Sequence, residues 1–402
     1  MTKIDVVVVG IGPAGAMTLL RLAELGINAV GIDSKSEIAD KLCTGIIGWE
    51  CSQRFPADSE IIHYVSSSAT VVSPAGMKMK ISSSKPQAVI LDRVSYIQSI
   101  ATKAMNLGSK ILLKNTVVSV SVKDTGVEIL TDQGECFSSQ IIVVATGFYS
   151  PILKNLGVAN QVSSHDYMVA SQAMVKTNDT KEIQVFVGEQ KVPGSFAWLV
   201  PTSEQTALVG MFTKFRLQGH MSQLIKRLSE DGIVDSVIKS HSQWGIPLRP
   251  LDRTFSDRLL VVGDAAGLVK PATGGGIYYS FLSGEIAAEV IRDAIEVNSF
   301  SPKTLSSYQT KWKAVLNNEI QIGLNVRNLF ESFSDEQIEI LFSYLRKSDL
   351  LSELTNSPEM SFDWHGKVIS HFMRNPSLWK LMNSFGPIAQ TMLSLARQKN
   401  II

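Results

Sequence analysis

The most constraining feature of this chain is a short β-branched run, Ile4 to Val9, that passes directly into Gly10-Ile11-Gly12-Pro13-Ala14-Gly15. Such a run, broken only by Asp5, suits a strand buried on both faces of a parallel sheet. The segment from Ala16 to Leu25 has helical apolar spacing and closes on Gly26, a C-terminal stop. A second strand is expected over Ile27–Ile32, ending at Asp33, which lies 23 residues past Gly10. In this context each glycine has a physical reason. Gly10 permits the tight turn, Gly12 lets backbone approach a pyrophosphate, and Gly15 lets helix and strand pack closely. The helix N-terminus beside Pro13 and Ala14 adds unpaired N–H groups and a positive dipole end. Asp33 is placed to accept hydrogen bonds from ribose hydroxyls, against the blander reading of a solvated loop carboxylate. A βαβ unit binding an adenine dinucleotide is the expectation.

A second glycine pattern stands far downstream. Arg258-Leu259-Leu260-Val261-Val262 reads as another buried strand, followed by Gly263-Asp264-Ala265-Ala266-Gly267, then Pro271-Ala272-Thr273-Gly274-Gly275-Gly276 and a helix from Ile277 to about Val290. Taken alone, Gly263-Asp264 is a turn with an N-capping aspartate. Strand ends at the carboxyl edge of a parallel sheet are where such folds place ligands. Asp264 and Gly274–Gly276 are therefore expected to face the distal half of a long cofactor whose ADP end sits at Gly12, and an extended FAD spans that gap.

Composition narrows the class further. At roughly 150 residues per domain, 402 residues suggest two to three domains. Basic and acidic side chains number 38 and 37, which argues against a dedicated nucleic-acid binder. Cys43, Cys51 and Cys136 form neither a disulfide framework nor a zinc spacing, so a reducing, cytoplasmic setting and no metal are expected. No apolar stretch approaches the ~18 residues of a membrane span.

The paired glycine motifs resemble those of FAD-dependent oxidoreductases of the aromatic hydroxylase type. Within them, DKLCTGIIG (40–48) and GDAAGLVKPATGGGIYYSFLSGEIAAE (263–289) look like the geranylgeranyl reductase family. PGSFAWLVP (193–201) is similar to that family's PxxYxWxFP signature, with Phe196 for Tyr and Val200 for the later Phe. The resemblance covers about the first 300 residues. It implies that Asp264 bonds the ribityl chain, that the N–H groups of Gly275 and Gly276 face the flavin's pyrimidine edge, and that Arg93 lies along FAD. It also implies cofactor contacts for Ser34, Cys43, Thr44, Gly45, Val118, Ala145, Thr146, Gly147, Gly263 and Ile277. One departure matters: the family often has Asp-Gly where this chain has Thr146-Gly147, so a role of that motif towards NADPH is not carried over.

The expected fold is α/β: a Rossmann-like FAD-binding domain, discontinuous in sequence (1–60, 85–150 and 250–300), an antiparallel β-sheet substrate domain (61–84 and 151–249) and a helical C-terminal region (301–402). Hairpins are expected at Ala69–Val72/Met77–Ile81 and Val117–Val122/Val127–Leu130, and further strands over Met168–Val175, Ile183–Val187, Phe196–Val200 and Ala207–Phe212. This sheet is expected to cover the flavin and to hold the substrate against it. Phe196 and Trp198 point to one strand face, as pocket walls or as core, and Pro193 and Pro201 suggest an edge or rim. Residues 364–402 contain no Asp or Glu but hold Lys367, Arg374, Lys380, Arg397 and Lys399 among apolar side chains. That composition suits a lid touching an anionic membrane surface on its inner face, or a helix packed on the body.

The activity these expectations describe is reduction of carbon–carbon double bonds in an isoprenoid lipid or prenyl diphosphate. Cys43, Tyr278 and Tyr279 are the candidate proton donors, with solvent through the pocket mouth as another, and NADPH or a reduced ferredoxin, a small electron-transfer protein, is the electron source. The rivals are a flavin-dependent monooxygenase or halogenase, since FAWLVP also resembles the halogenase WxWxIP pattern, and a lipid carrier retaining FAD as a relic.

Overall fold

A computed structural model describes the chain except residues 1–2, 40, 42, 159–165, 179–181, 215–216, 218, 374 and 377–402. Strands run over Lys3–Val9 (β1), Ala29–Ile32 (β2), Ile46–Gly48 (β3), Ile62–Ser66 (β4), Ser68–Val72 (β5), Lys78–Ser82 (β6), Ala88–Leu91 (β7), Lys110–Leu112 (β8) and Val117–Lys123 (β9). They continue over Gly126–Thr131 (β10), Cys136–Val144 (β11), Tyr167–Thr177 (β12), Ile183–Val187 (β13), Phe196–Pro201 (β14), Thr206–Thr213 (β15), Val234–Pro247 (β16), Phe255–Ser256 (β17) and Leu259–Val261 (β18). The helices are Pro13–Glu24 (α1), Trp49–Arg54 (α2), Arg93–Asn106 (α3), Pro151–Asn155 (α4), His220–Glu230 (α5), Ile277–Glu296 (α6), Pro302–Phe330 (α7), Asp335–Lys347 (α8), Leu350–Thr355 (α9) and Gly366–Met373 (α10).

The chain divides into two units. The first comprises 1–41, 92–167 and 246–320; the second comprises 42–91, 168–245 and 321–402. Residues 42–60 thus cluster with the second unit rather than with the cofactor segments, and the later division falls inside α7. The C-terminal lid segment lies mostly outside the described residues. Among the described residues no helix is long and apolar enough to cross a membrane.

Unit 1 is built on a sheet of order β17-β18-β11-β1-β2-β8, with β10 and β9 appended to β11. β1, β2, β8, β11 and β18 are mutually parallel, and Val6–Val8, Ile141–Val144 and Leu260–Val262 are almost wholly inaccessible. That double-sided burial is what their unalternating β-branched composition requires. Helices α1 and α3 lie in the connections that lead to β2 and β8, and α1 packs against both α3 and α6. Asp92 caps α3 by accepting from the N–H groups of Val94 and Ser95. Tyr308 of α7 is fully inaccessible, and burial holds its phenol well above the ordinary 10.0. A pKa raised on folding contributes stability that is complete below the unfolded value and lost above it. Melting temperature is therefore expected to fall above about pH 10, and Tyr308→Phe should flatten that slope; an unchanged slope would remove Tyr308 from the account.

Unit 2 holds a sheet of order β16-β12-β15-β14-β13-β5-β6 and a small sheet β3-β7-β4. In the larger sheet the pairs β12–β15, β15–β14, β14–β13 and β5–β6 are antiparallel, whereas β13 and β5 run parallel, a pairing absent from the expected pattern. Its two faces separate by strand alternation. Ala173, Val175, Ala197, Leu199, Val209 and Met211 pack under α5 residues Met221, Leu224 and Leu228. On the other face Val185, Val187 and Phe196 meet Phe333, Ile338, Phe342 and Leu345 from the α7 end and α8. Strand β14 is central, between β13 and β15, so the edge inferred from its prolines is corrected. Pro193 precedes the strand and Pro201 closes it, where a missing N–H removes little of the ladder.

Candidate functional site

In unit 1 the two distant glycine motifs meet. A Cβ built on Gly10 would lie 2.5 Å from the Ala145 carbonyl oxygen, and one on Gly15 would lie 1.9 Å from the Gly10 oxygen and 3.3 Å from Ala145 Cβ. Gly10 also has φ +94, which side chains rarely adopt. A Cβ on Gly263 would meet Ala14 Cβ at 2.7 Å, and one on Gly276 would meet Asp264 Oδ1 at 2.7 Å. Gly10, Ala14, Gly15, Ala145, Gly263, Asp264 and Gly276 are therefore linked in one chain of close approaches. Gly12 differs, because among the described residues nothing lies within 4 Å of a Cβ there. It caps α1 without any side-chain hydrogen bond, and Pro13 opens the helix. The first-turn amides thus have open space before them, as an anion requires.

Asp33 is held at the strand end by N–H groups of Ile11 (2.6 Å, to Oδ2) and Lys35 (2.9 Å, to Oδ1). A carboxylate has about four acceptor sites, so two backbone bonds orient it and leave capacity for hydroxyl donors. Asp264 opens the turn at Gly263–Ala266 and pairs with Lys41 at 3.4 Å. Gly274–Gly276 precede α6, which begins at Ile277 and carries the buried Tyr278 and Tyr279 in its first turn. Lys270, 5% exposed, lies with Nζ 5.9 Å from the Tyr279 ring centroid. Arg93 is 6% exposed and its Nη2 donates to the carbonyls of Ala39 (2.6 Å) and Lys41, so it holds the loop after Ser34. Thr146 is exposed beside the half-buried Gly147, and Val118 is 53% exposed on β9, whose one recorded partner is β10.

The remaining candidates belong to unit 2. Cys43, half-buried and free, and Thr44 precede Gly45 and β3, and Thr44 Oγ1 donates to Gln172 Oε1 on β12 at 2.9 Å. Phe196 is half-buried and Trp198 is 8% exposed. Their rings form an edge-on cluster with Phe212, at 4.7 Å between Phe196 and Phe212 and 6.1 Å between Trp198 and Phe212. The Arg327 guanidinium lies 4.7 Å over the Phe212 ring and pairs with Glu331 at 3.1 Å, while Thr213 Oγ1 donates to the Pro193 carbonyl at 2.7 Å.

Three features escape a reading along the chain. Arg327, Gln172 and Asp363 are polar residues at 5%, 0% and 1% exposure. Asp363 accepts from the Cys51 N–H at 2.9 Å, and a Cβ on Gly48 would overlap its carboxyl group at 2.1 Å. The local mark along the chain is the Ser171-Gln172 pair inside the otherwise apolar run Met168–Val175. Among the described residues no cluster of three or more His, Cys, Asp or Glu is arranged to hold a metal ion.

Comparison with known proteins fits this architecture. The family model described as Lycopene cyclase protein matches residues 5–346. Digeranylgeranylglycerophospholipid reductase 1 of Methanosphaera stadtmanae is 30% identical over 369 residues, covering 87% of this chain and 90% of the relative. The solved geranylgeranyl bacteriochlorophyll reductase-like protein of Thermoplasma acidophilum aligns with TM-score 0.83 at 21% identity, covering 96% of this chain and 100% of that one. The halogenase PltM, solved with phloroglucinol and FAD, aligns with TM-score 0.71 at 15% identity, covering 98% of this chain and 95% of that one. The chain belongs to the lycopene cyclase protein family and, alongside the digeranylgeranylglycerophospholipid reductases, to the geranylgeranyl reductase family.

Proposed function

We propose that this chain is an FAD-dependent reductase that saturates carbon–carbon double bonds of a geranylgeranyl-type isoprenoid lipid. The observation that carries the reading is the close approach of Gly263 to Ala14 in a chain whose curated relatives are named as such reductases. It joins the nucleotide-type turn to the Asp264 turn, as one extended dinucleotide needs. The halogenase likeness is one of fold, at 15% identity.

Residues fitting FAD are Gly10, Gly12 and the first-turn amides of α1 for the pyrophosphate, Asp33 for the ribose, and Asp264 with Gly274–Gly276 for the ribityl and ring end. When bound, FAD supplies the two-electron, hydride-equivalent chemistry. The chain's own task is to bind, orient and exclude water. Open amides at Gly12 favour negative charge, and the α6 N-terminus sets a positive dipole end beside Gly276. In unit 2, Phe196 and Trp198 would wall the isoprenoid chain; holding an unpolarised alkene in one orientation is worth several kcal/mol, up to roughly 7–11. Cys43, Tyr278 and Tyr279 are the candidate proton donors by residue type, with solvent as the alternative. One glycine fingerprint serves FAD, so the electron source would be NADPH docking transiently or a reduced ferredoxin, and Thr146 in place of an acid favours the second. A lipid substrate favours peripheral contact with a membrane surface.

The experiment is anaerobic photoreduction of the purified yellow protein followed by a geranylgeranyl glycerolipid. Flavin absorbance should return without oxygen, and the lipid should gain two hydrogens per bond reduced by mass spectrometry. A protein that reoxidises only with oxygen, or that takes up no flavin, would overturn the reading.

A further inference from the structure

Across the larger sheet of unit 2, Gln172 of β12 is the register partner of Gly210 on β15, and Gly210 is the register partner of Trp198 on β14. Directly opposed residues of antiparallel strands share a face, so the three form one row. Gly210 is what allows it. A Cβ there would lie 2.4 Å from Trp198 Cζ2 and 2.8 Å from its Nε1, so the indole lies over the glycine, the residue between Trp198 and Gln172 in the row.

Gln172 has no exposed surface, yet among the described residues its Nε2 has no partner, and neither does Trp198 Nε1. Thr44 engages only one amide atom of Gln172, whichever way the amide is turned. In the recorded arrangement both orphan groups are donors, so neither can satisfy the other. A buried donor without an acceptor is costly, and two lie in one row whose Gln172 end is tied by Thr44 to the loop that carries Cys43. The row contains no cation. A buried cation of the same unit, the Arg327 guanidinium over Phe212, is already paired with Glu331. A phosphate would call for a charged fork; two neutral N–H groups fit an uncharged oxygen with two lone pairs.

We propose that Gln172 and Trp198 form a binding subsite for an uncharged acceptor oxygen of the isoprenoid lipid, of the ether or hydroxyl kind at the inner end of its hydrocarbon chain. This rests on the reductase reading for its substrate class. The subsite would let the protein tell an oxygen-bearing prenyl lipid from a bare polyprene and fix how far the chain slides along Trp198.

The test uses the flavin-loaded full chain with 15N-indole tryptophan, the Trp198 resonance being assigned by its loss in Trp198→Phe. A digeranylgeranylglycerol ether in micelles should shift that Nε1–H resonance, and squalene, an oxygen-free polyprene, should not. Gln172→Met supplies a second readout. The change removes the unpaired Nε2 and, with Oε1, the acceptor of Thr44, so the melting temperature should change little, whereas the KM ratio of ether lipid to squalene should rise about 3- to 10-fold, the worth of one neutral hydrogen bond. Equal shifts with both lipids, or a melting temperature that falls with an unaltered KM ratio, would overturn the subsite in favour of a packing role. The resonance reads binding without turnover. If neither lipid reoxidises the flavin while the ether still shifts Trp198, the reductase reading fails and the subsite stands.

Discussion

Gly15→Ala is expected to yield a chain that retains essentially no flavin and melts well below the parent. The added methyl would sit 1.9 Å from the Gly10 carbonyl oxygen and 3.0 Å from its carbon, both backbone atoms that no rotamer can move. Relief requires α1 to lift from the end of β1. Overpacking of this kind costs about 1–3 kcal/mol and occasionally more. The displacement would also carry Ala14 away from Gly263 and disturb Gly284, whose Cβ position is already 2.9 Å from the Ala14 oxygen. One methyl would thus loosen both halves of the proposed cofactor site. Gly12→Ala is the control, since nothing among the described residues lies within 4 Å of a Cβ there. It should keep the melting temperature of the flavin-free protein and still lose flavin, because the methyl occupies the space a pyrophosphate needs. The ratio of flavin to protein absorbance and the melting temperature separate the two. Full flavin in Gly15→Ala would remove the close-approach argument, and full flavin in Gly12→Ala would move the pyrophosphate elsewhere.

What the sequence disclosed, and what it hid, follows from how local each constraint is. The β1–α1 turn was legible because Gly10, Gly12 and Gly15 lie within one turn and their roles depend on their own backbone. Asp33 was legible because its carboxylate is fixed by Ile11, the neighbour of those glycines across one parallel pair. The hairpins at 68–82 and 117–131 appear close to their expected bounds, since short turn sequences set register. The parallel pairing of β5 with β13 was hidden, because it joins segments more than a hundred residues apart with no local mark. So was the Gln172–Gly210–Trp198 row, which exists only once three strands are in register. A buried carboxylate at Asp363 looks like a loop residue until Gly48 and Cys51 close on it from 312 residues away. Prolines misled for a related reason: read along the chain they mark a sheet edge, whereas here they mark only the ends of a central strand.

The second large effect is expected at Arg327. Its guanidinium is nearly fully buried, stacked 4.7 Å over Phe212, and approaches the Ser195 hydroxyl at 3.4 Å and the Gly194 carbonyl at 3.5 Å. Burial pulls its pKa down and Glu331 pushes it back up; an arginine so placed stays charged. Breaking a buried pair by removing one partner costs about 3–5 kcal/mol, but Glu331 also holds Lys214 at 2.7 Å and would keep that ion. Arg327→Met, which preserves much of the apolar stem, is therefore expected to cost about 2–3 kcal/mol, below the full broken-pair value. The Glu331→Gln variant should cost less, because the cation keeps its ring and carbonyl contacts. The functional consequence runs through Phe212 to Phe196 and Trp198, whose ring geometry the guanidinium fixes from the α7 side. Arg327→Met should accordingly raise KM for the prenyl lipid more than it lowers kcat, while flavin content, set in unit 1, stays at the parental level. Denaturant midpoints and a separation of KM from kcat test this together: a variant as stable as the parent would mean the guanidinium is not desolvated as drawn, and lost flavin would mean that the aromatic cluster and the glycine motifs are not independent.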